Sequence, residues 1–351
     1  MMKTTRRATL SALLTGTALA LSAASMASAQ DDLLKLTIAL GVDDTAFNVT
    51  TSSVFQLAGE WGFYAKYGLE VTFVALDGTP QAVAALQSGD VDAADISLDA
   101  AIRLTATGDM PLRGIVAVGT GSPFLIAART DITTVADLVG RSYAIADNGS
   151  LDHSLTQAVL RGLGVDPAGP AYVAIGAPAV RVQALAAGQI DATTVSFGTY
   201  GSIEGTEGIH ILVPSEEFST FVPAVSKFIA VTPETATAKE EELQRFTLAL
   251  IDAARELEAN PARWVEAAAA ARSDLKRETI ERTSGFIANR WCINGCLDPA
   301  EIDASVAFVY ANPDFAEVPV ISAADVIDLR FTTRALATLG TAQGTGLDSR
   351  P

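Results

Sequence analysis

Apolar runs and polar turns alternate over the first two thirds of the chain. "LKLTIALGV" and "LEVTFVALDG" have the composition of buried strands, and "SSVFQLAGEWGFYAKYG" between them has apolar positions at helical spacing. Strands and helices continue to alternate as far as "IDATTVS", which ends at Ser196. Such alternation is typical of α/β units with mostly parallel sheets. From Pro233 onward the pattern is mostly helical.

One short unit occurs twice in the chain. "LQSGDVDAADIS" begins at Leu86 and "LAAGQIDATTVS" begins at Leu185, an offset of 99 residues. Solenoid units are shorter, at roughly 20–50 residues, so the offset indicates two similar lobes. Each copy predicts a helix with a glycine cap and then a buried strand that ends at Ser97 or Ser196. Ligands bind outside the carboxyl ends of strands in open α/β sheets, so both serines are expected at a cleft.

The N-terminal segment is typical of a secretory signal. Basic residues precede a short apolar stretch, and a small-residue pattern at 27–29 predicts a signal peptide of residues 1–29 and a mature chain that begins at Gln30. "TRRATL" is similar to a twin-arginine signal, but Thr9 stands where a large apolar residue is expected, so both export routes remain open. Beyond residue 30 no apolar run reaches the roughly 18–20 residues that span a bilayer. The sequence therefore predicts an exported, soluble, periplasmic protein.

Charge excludes some partners. Without the signal, 21 Lys and Arg stand against 41 Asp and Glu, a net charge of −20. Nucleic acid and anionic membranes carry the same sign and repel such a chain, so neither is predicted as a partner. The acidic residues are spread along the chain, as in a solvated surface.

The two cysteines, Cys292 and Cys296, lie in "RWCINGCLDP". In an oxidising compartment a close pair predicts a disulfide, and Gly295 permits the tight loop between them. A metal or redox pair is the alternative. The two histidines, His153 and His210, are far away in sequence, so we predict no metal and no cofactor.

Several segments together are similar to one family. "FYAKYGLEV", the "LxxGxVDA" unit and "GSLDH" resemble the solute-binding proteins of ABC importers in the nitrate/sulfonate/thiamine-pyrimidine-like family, and the resemblance covers nearly the whole mature chain. It implies the type II periplasmic binding protein fold, an α/β clamshell of two lobes with mostly parallel sheets and a helical C-terminal region. Residues 31–119 with 225–351 would form the first lobe and residues 120–224 the second. The Gly- and Thr-rich residues 341–351 are predicted to be a loose tail.

The resemblance also implies a ligand cleft lined by six segments, from both lobes and both crossings. Its candidate ligand-binding residues are Asp44, Thr45, Phe47, Ser97, Asp99, Ser122, Phe124, Asn148, Gly149, Ser150, His153, Ser196, Phe197, Tyr200 and Phe221. Other roles are open for some of them: the phenylalanines also suit an interlobe core, Ser150 a helix N-cap, and His153 a packing position.

The ligand class depends on charge. The helix start at Ser150 offers free N–H groups that suit a sulfonate or nitrate. However, the six segments contain no Arg or Lys, which planar anions usually recruit, and their aspartates make the rim acidic. The rim aspartates are Asp43, Asp44, Asp99, Asp147 and Asp152. We therefore predict a planar neutral or cationic compound such as a pyrimidine, with a sulfonate, taurine or nitrate as the alternative.

The predicted function is capture of this ligand by hinge closure and its delivery to an ABC permease and its ATPase, by a monomer. A pyrimidine-synthesis-like enzyme is an alternative, but "WCINGC" is not similar to that branch's cysteine-rich run, and the predicted cleft contains no lysine. No nucleophile, histidine and acid set stands out, so no catalytic residue is assigned. A receptor that presents its ligand to a membrane sensor is the other alternative.

Overall fold

The computed structural model describes residues 33–42, 47–343 and Asp348. The predicted signal peptide, the candidate residues Asp44 and Thr45, and most of the predicted tail lie outside the described residues.

The described residues form two five-stranded sheets with helices on both faces. The strands are β1 (Leu34–Leu40), β2 (Leu69–Ala75), β3 (Ala93–Ser97), β4 (Arg113–Val116), β5 (Phe124–Arg129), β6 (Ser142–Ile145), β7 (Ala171–Ala174), β8 (Ala192–Ser196), β9 (Ile209–Val213) and β10 (Lys227–Val231). The helices are α1 (Val54–Glu60), α2 (Phe63–Lys66), α3 (Thr79–Ser88), α4 (Leu98–Thr107), α5 (Leu151–Gly162), α6 (Pro178–Ala186), α7 (Phe197–Tyr200), α8 (Ser215–Phe218), α9 (Pro233–Ala238), α10 (Glu240–Ala259), α11 (Pro261–Ala271), α12 (Arg277–Ile287), α13 (Pro299–Tyr310) and α14 (Arg330–Leu339).

The two sheets have equivalent strand orders. The first is β2-β1-β3-β10-β4 and the second is β7-β6-β8-β5-β9. In each sheet the first three strands are parallel, and a fourth strand, β10 or β5, runs antiparallel to both of its neighbours. Both antiparallel strands follow a crossing between the sheets, so the chain joins the two lobes twice. The predicted α/β, two-lobed fold is confirmed.

The repeated unit has the same structural role in both lobes. Gly89 and Gly188 follow α3 and α6 in the left-handed conformation, and the buried strands β3 and β8 come next. The aspartate of each repeated unit accepts a hydrogen bond that joins its strand to the parallel neighbour. Asp92 Oδ2 accepts the Thr37 amide at 2.8 Å, and Asp191 Oδ2 accepts the Ser142 amide at 3.0 Å.

The helical C-terminal region covers the first sheet. Alternate residues of β1 face opposite sides: Ile38 contacts the layer that contains α10 and α11, whereas Ala39 contacts the layer of α3, α4 and α13. Phe246 of α10 stacks on Tyr64 of α2, with ring centroids 5.8 Å apart. Burial of these apolar faces supplies most of the driving force for folding. Among the described helices, none combines the length and apolar character needed to cross a membrane.

Three details differ from the sequence predictions or add to them. The helix predicted over residues 52–68 is two short helices, α1 and α2, separated by a turn at Gly62. The strands β9 and β10 were not predicted. Cys292 and Cys296 form the expected disulfide, with Cα atoms 5.0 Å apart.

Candidate functional site

A cleft lies between the two sheets, where the chain crosses from β4 to β5 and returns to β10. Its walls contain both polar and apolar side chains. From the first lobe come Asn48, Thr50, Asp77 and Asp95, among others, and the crossing contributes Thr120. The carboxyl ends of strands from both sheets therefore meet at one place. Of the two serines that the repeated unit predicted at a cleft, Ser196 lines it and the fully buried Ser97 does not.

The second-lobe wall contains a buried ion pair. Arg181 Nη1 lies 2.8 Å from Asp152 Oδ2, and the two side chains are only 4% and 8% exposed. Arg181 also donates to the Thr194 carbonyl at 2.8 Å. Asp152 accepts the Ser150 hydroxyl at 2.7 Å. A buried charge is tolerated when it is paired and hydrogen bonded, so this pair fixes α5 and α6 relative to β8 and is neutral as a unit.

The first-lobe wall contains a second ion pair. Lys227 Nζ, at the start of β10, lies 2.6 Å from Asp95 Oδ2, and the Asp95 side chain is 2% exposed. The two residues belong to neighbouring antiparallel strands, since β10 pairs with β3. Lys227 therefore neutralises a carboxylate that would otherwise be buried beside the ligand.

Arg290 is the third cation of the cleft, and none of the described carboxylates forms an ion pair with it. Its Nε donates to the Phe286 carbonyl at 2.8 Å, and its guanidinium lies 4.5 Å from the centre of the Phe286 ring. Burial lowers the pKa of Arg290, while the nearby Glu216 carboxylate acts in the opposite direction. The guanidinium is thus held in one position, is partly desolvated, and remains available to an anion.

Gly121 at the first crossing makes room for this arginine. Gly121 has φ +70°, and a Cβ atom built there would lie 1.9 Å from Arg290 Nη1. The Thr120 amide donates to the Arg290 carbonyl at 3.0 Å, which holds the arginine backbone against the crossing. Thr120 is 4% exposed, and its hydroxyl has no hydrogen-bond partner among the described residues. A cation and an unpaired hydroxyl therefore lie on adjacent segments of the same wall.

Helix α12 closes one side of the cleft by contacting α7 of the second lobe. The rings of Phe197 and Phe286 stack with centroids 6.3 Å apart. Glu204, which follows α7 and a short 3-10 turn, accepts two hydrogen bonds from Arg282 at 2.6 and 2.7 Å and one from the Thr279 hydroxyl at 2.9 Å. Burial raises the pKa of Glu204, but these donors outweigh it and hold the pKa below its usual value.

The two lobes are also in contact with each other at the front of the cleft. A Cβ atom at Gly78, just before α3, would lie 3.5 Å from the Ser150 Cβ. Gln81 of α3 donates to Asp147 Oδ2 at 2.9 Å. The lobes therefore touch both at α12 and at the N-terminal end of α3.

The structure brings some of the predicted residues together in this cleft. Phe124, Ser150 and Ser196 line it. Ser196 is the N-cap of α7, and its hydroxyl accepts the Thr199 amide at 3.1 Å. Asp99 lies instead beside two neighbouring cavities.

Other predicted residues lie near the cleft without lining it. Phe221 lines a second cavity, and Gly149 and His153 line a third with Asp99. His153 Nδ1 accepts the Gly149 amide at 3.2 Å, and its ring meets the Tyr172 ring edge-on at 4.6 Å. Burial lowers the pKa of His153, so the neutral imidazole is favoured.

The remaining predicted residues do not line the cleft: most are buried in the packing of the lobes, and one is exposed. Phe47 packs against Trp264, with ring centroids 6.2 Å apart, and Tyr200 is buried in the core of the second lobe. Ser97 and Ser122 are fully buried. Asn148 is exposed beside the start of α5.

The six segments considered in the sequence contain no Arg or Lys, but the cleft in the structure does. Arg181, Lys227 and Arg290 all line it, and they come from segments outside the six that were considered. Two of the expected rim acids are also engaged elsewhere: Asp147 with Gln81, and Asp152 with Arg181. The presence of cations beside the buried carboxylates could have been anticipated from the sequence, because burial of an unpaired carboxylate is energetically unfavourable.

Two α/β lobes joined by two crossings around a cleft define the periplasmic binding protein fold. Within it, the chain belongs to the NMT1/THI5-like family, whose model matches residues 50–264. The resemblance seen in the sequence is confirmed at this level. No curated protein matches the chain.

Solved structures share the fold at low sequence identity. A protein of Bordetella bronchiseptica is 19% identical with a TM-score of 0.71, over 87% of this chain and 98% of that one. The alkanesulfonate-binding protein SsuA of Xanthomonas axonopodis pv. citri is 22% identical with a TM-score of 0.65, over 83% and 97%. The periplasmic nitrate-binding protein NrtA of Synechocystis is 13% identical with a TM-score of 0.65, over 88% and 90%.

Proposed function

We propose that this protein is the solute-binding component of an ABC importer and that it captures a small organic molecule with an anionic group. Arg290 carries this proposal, because it lines the cleft between the lobes and has no ion-pair partner among the described residues. Two of the similar structures are those of an alkanesulfonate-binding protein and a nitrate-binding protein, and both ligands are anions.

The described cleft leaves one partly buried cation for an anionic group. Arg181 and Lys227 are neutralised by Asp152 and Asp95, so neither pair attracts a ligand of either sign strongly. Arg290 and the exposed Asp77 are the lining charges without an ion-pair partner among the described residues, and Arg290 is the more buried of the two. The position considered for the anionic group is therefore the one beside Arg290. A carboxylate or sulfonate there would form charge-assisted hydrogen bonds, which are about twice as strong as neutral ones.

The unpaired hydroxyl of Thr120 supports the same position for the anionic group. A buried hydroxyl without a partner costs free energy, and an acceptor oxygen of the ligand would satisfy it. The anion would then contact the crossing segment itself, next to Gly121.

A pyrimidine-like heterocycle is the second candidate ligand. Phe124 lines the cleft and offers a ring for stacking, and the exposed Asp77 and the amide of Asn48 offer acceptors for N–H groups. This candidate needs no interaction with Arg290.

The proposed mechanism is hinge closure. The ligand contacts one lobe, the other lobe closes over it, and the closed form docks on a membrane permease that works with an ATPase. The N-terminal segment fits export to the periplasm, and the acidic surface suits docking on basic permease surfaces.

The test is thermal unfolding of refolded, ligand-free mature protein with two panels of compounds. One panel contains taurine, alkyl sulfonates and nitrate, and the other contains aminopyrimidines and related heterocycles. A ligand at 100 times its Kd adds about 2.7 kcal/mol to the free energy of unfolding, which gives a clear rise in Tm. We expect the rise with at least one anion. A rise with heterocycles alone would overturn the anionic ligand, and no rise with either panel would overturn both candidates.

A further inference from the structure

A small loop closed by the disulfide begins two residues after Arg290. This disulfide loop consists of residues 292–296, and the side chains of Cys292 and Cys296 are buried in the first lobe. Gly295 has φ +89° and Cys296 has φ +54°. A positive φ is unfavourable for a residue with a side chain, so contacts from outside the loop are needed to stabilise this shape.

Asp348 supplies such a contact from the C-terminal end of the chain. Its Oδ2 accepts the backbone amides of Asn294 and Cys296, the latter at 3.1 Å. Its backbone carbonyl accepts the side-chain amide of Asn294 at 2.6 Å. Backbone amides that converge on one point form an anion-binding nest, and the anion in this nest is a carboxylate of the chain itself. Asp348 is 7% exposed, so the contact is buried.

Arg255 of α10 lies near Asp348 and holds the same loop. Its guanidinium donates to the Ile293 carbonyl at 2.8 Å and to the side-chain oxygen of Asn294 at 3.2 Å. Burial lowers the pKa of Arg255, and the carboxylates of Asp252 and Asp348 act in the opposite direction. A buried carboxylate is tolerated when a cation and hydrogen-bond donors surround it, and the first lobe provides both for Asp348.

The other side of the disulfide loop contacts the first crossing, where Arg290 lines the cleft. The Gly295 carbonyl accepts the Ala117 amide at 3.0 Å, and Trp291 pairs with Gly119 in an isolated β-bridge. The loop therefore has the amide nest on one side and the backbone beside Arg290 on the other.

We propose that Asp348 is a positioning residue for the ligand: it fixes the disulfide loop, and the loop fixes Arg290 against the first crossing. This rests on the proposed function, since it assumes that Arg290 binds the anionic group. Without the carboxylate the loop loses the acceptor for two buried amides, and Arg290 would have to be immobilised when the ligand binds. Immobilising a long side chain on binding weakens affinity by about two- to tenfold.

The test is a double-mutant cycle between Asp348→Ala and Arg290→Gln, with Kd measured by isothermal titration calorimetry on the mature protein. The probes are methanesulfonate, taurine and nitrate. We expect Asp348→Ala to weaken anion binding about two- to tenfold when Arg290 is present and less than twofold in Arg290→Gln, because a positioning residue has no effect once the group it positions is absent. The matched control is Asp328→Ala, which removes another C-terminal carboxylate that pairs with Arg330 and lies outside the cleft.

The Tm of each variant is measured as well, and every titration is made below the lowest of these values. If Asp348→Ala does not fold, Asp348→Asn replaces it, because the asparagine side chain keeps one acceptor oxygen for the two amides but loses the charge. Unchanged affinity in the Asp348 variant, with weaker binding in Arg290→Gln, would overturn the positioning role and leave the anionic cleft intact. Equal losses with and without Arg290 would show that Asp348 acts on the structure in general, and would also overturn it. No binding of any probe by the native protein, or unchanged binding in Arg290→Gln, would overturn both proposals.

Discussion

At the scale of single residues, the proposed anionic ligand depends most on Arg290. It follows Asn289, which has φ +62°, so the backbone turns sharply after α12 and directs the next residue toward the crossing. The Phe286 carbonyl and ring hold its side chain, and Gly121 leaves it space. A guanidinium fixed in this way loses little further side-chain entropy when an anion binds.

Arg290→Gln tests this role. Loss of a charge-assisted hydrogen bond should weaken binding of an anion about ten- to a hundredfold, whereas a neutral heterocycle should bind nearly as before. Titration calorimetry with one ligand of each class measures the difference. Arg263→Gln is the matched control, because Arg263 is exposed, pairs with Glu256 and lies outside the cleft. Equal losses for both ligand classes in Arg290→Gln would remove Arg290 from the ligand site.

At the scale of elements, the contact between α7 and α12 joins the lobes. Glu204 on one side meets Arg282 and Thr279 on the other, and the stacked rings of Phe197 and Phe286 lie beside them. These contacts would separate if the lobes opened. Part of the ligand affinity should therefore come from interlobe contacts that do not touch the ligand.

Glu204→Gln should weaken ligand binding at pH 7 by about two- to fivefold, as expected for a partly exposed ion pair. Titration calorimetry measures this, with Glu281→Gln as the control, because Glu281 pairs with Arg277 inside the same helix. An effect of the same size in both variants would show that the α7–α12 contact does not stabilise the closed form.

The effect of Glu204 should also depend on pH. Its pKa is lowered when the lobes touch and would return to the ordinary value of a glutamate when they separate. The contribution to closure is therefore complete above that ordinary value and is lost as the pH falls through the lower pKa of the closed form. We expect the difference between native protein and Glu204→Gln to shrink as the pH is lowered, in affinities measured from pH 7 into the acidic range. A constant difference over that range would contradict this linkage.

At the scale of the whole molecule, the lobes are joined by two chain crossings and touch at both sides of the cleft. Gly78 and Ser150 lie at the front, and a Cβ at Gly78 would be 3.5 Å from the Ser150 Cβ. That spacing suits a disulfide, for which Cβ atoms are about 3.5–4.5 Å apart.

The double variant Gly78→Cys, Ser150→Cys should therefore lock the lobes together when oxidised. We expect ligand uptake and release to slow at least tenfold in the oxidised form and to recover on reduction, because the ligand enters only when the lobes separate. Stopped-flow measurements give the binding and release rates of the oxidised and reduced forms of the same variant. Because both forms lack the Ser150 hydroxyl, its loss cannot account for a difference between them. The native protein, measured with and without the same reductant, is the control for any effect of reducing the Cys292–Cys296 disulfide. Identical rates in both redox forms would contradict hinge closure as the route to the site.

Much of the fold could be predicted from local sequence patterns. The apolar alternation of β1 and the glycine caps of the repeated unit depend on neighbours only a few residues apart. The strand β10 was missed because its place between β3 and β4 depends on a return of the chain after the whole second lobe. Part of the candidate site was predicted from the family resemblance: Phe124, Ser150 and Ser196, at strand or helix ends, line the cleft.

The sequence by itself determined the α/β class, the two lobes, the disulfide pair and the family resemblance, because each follows from periodicity, spacing or short motifs. Only the tertiary structure decided the charge of the cleft. Arg181, Lys227 and Arg290 are widely separated along the chain, and the packing of two sheets and α12 brings them to one cleft. The electrostatic field at a ligand depends on distances in space and on which carboxylate each cation meets, and neither is encoded in local sequence patterns.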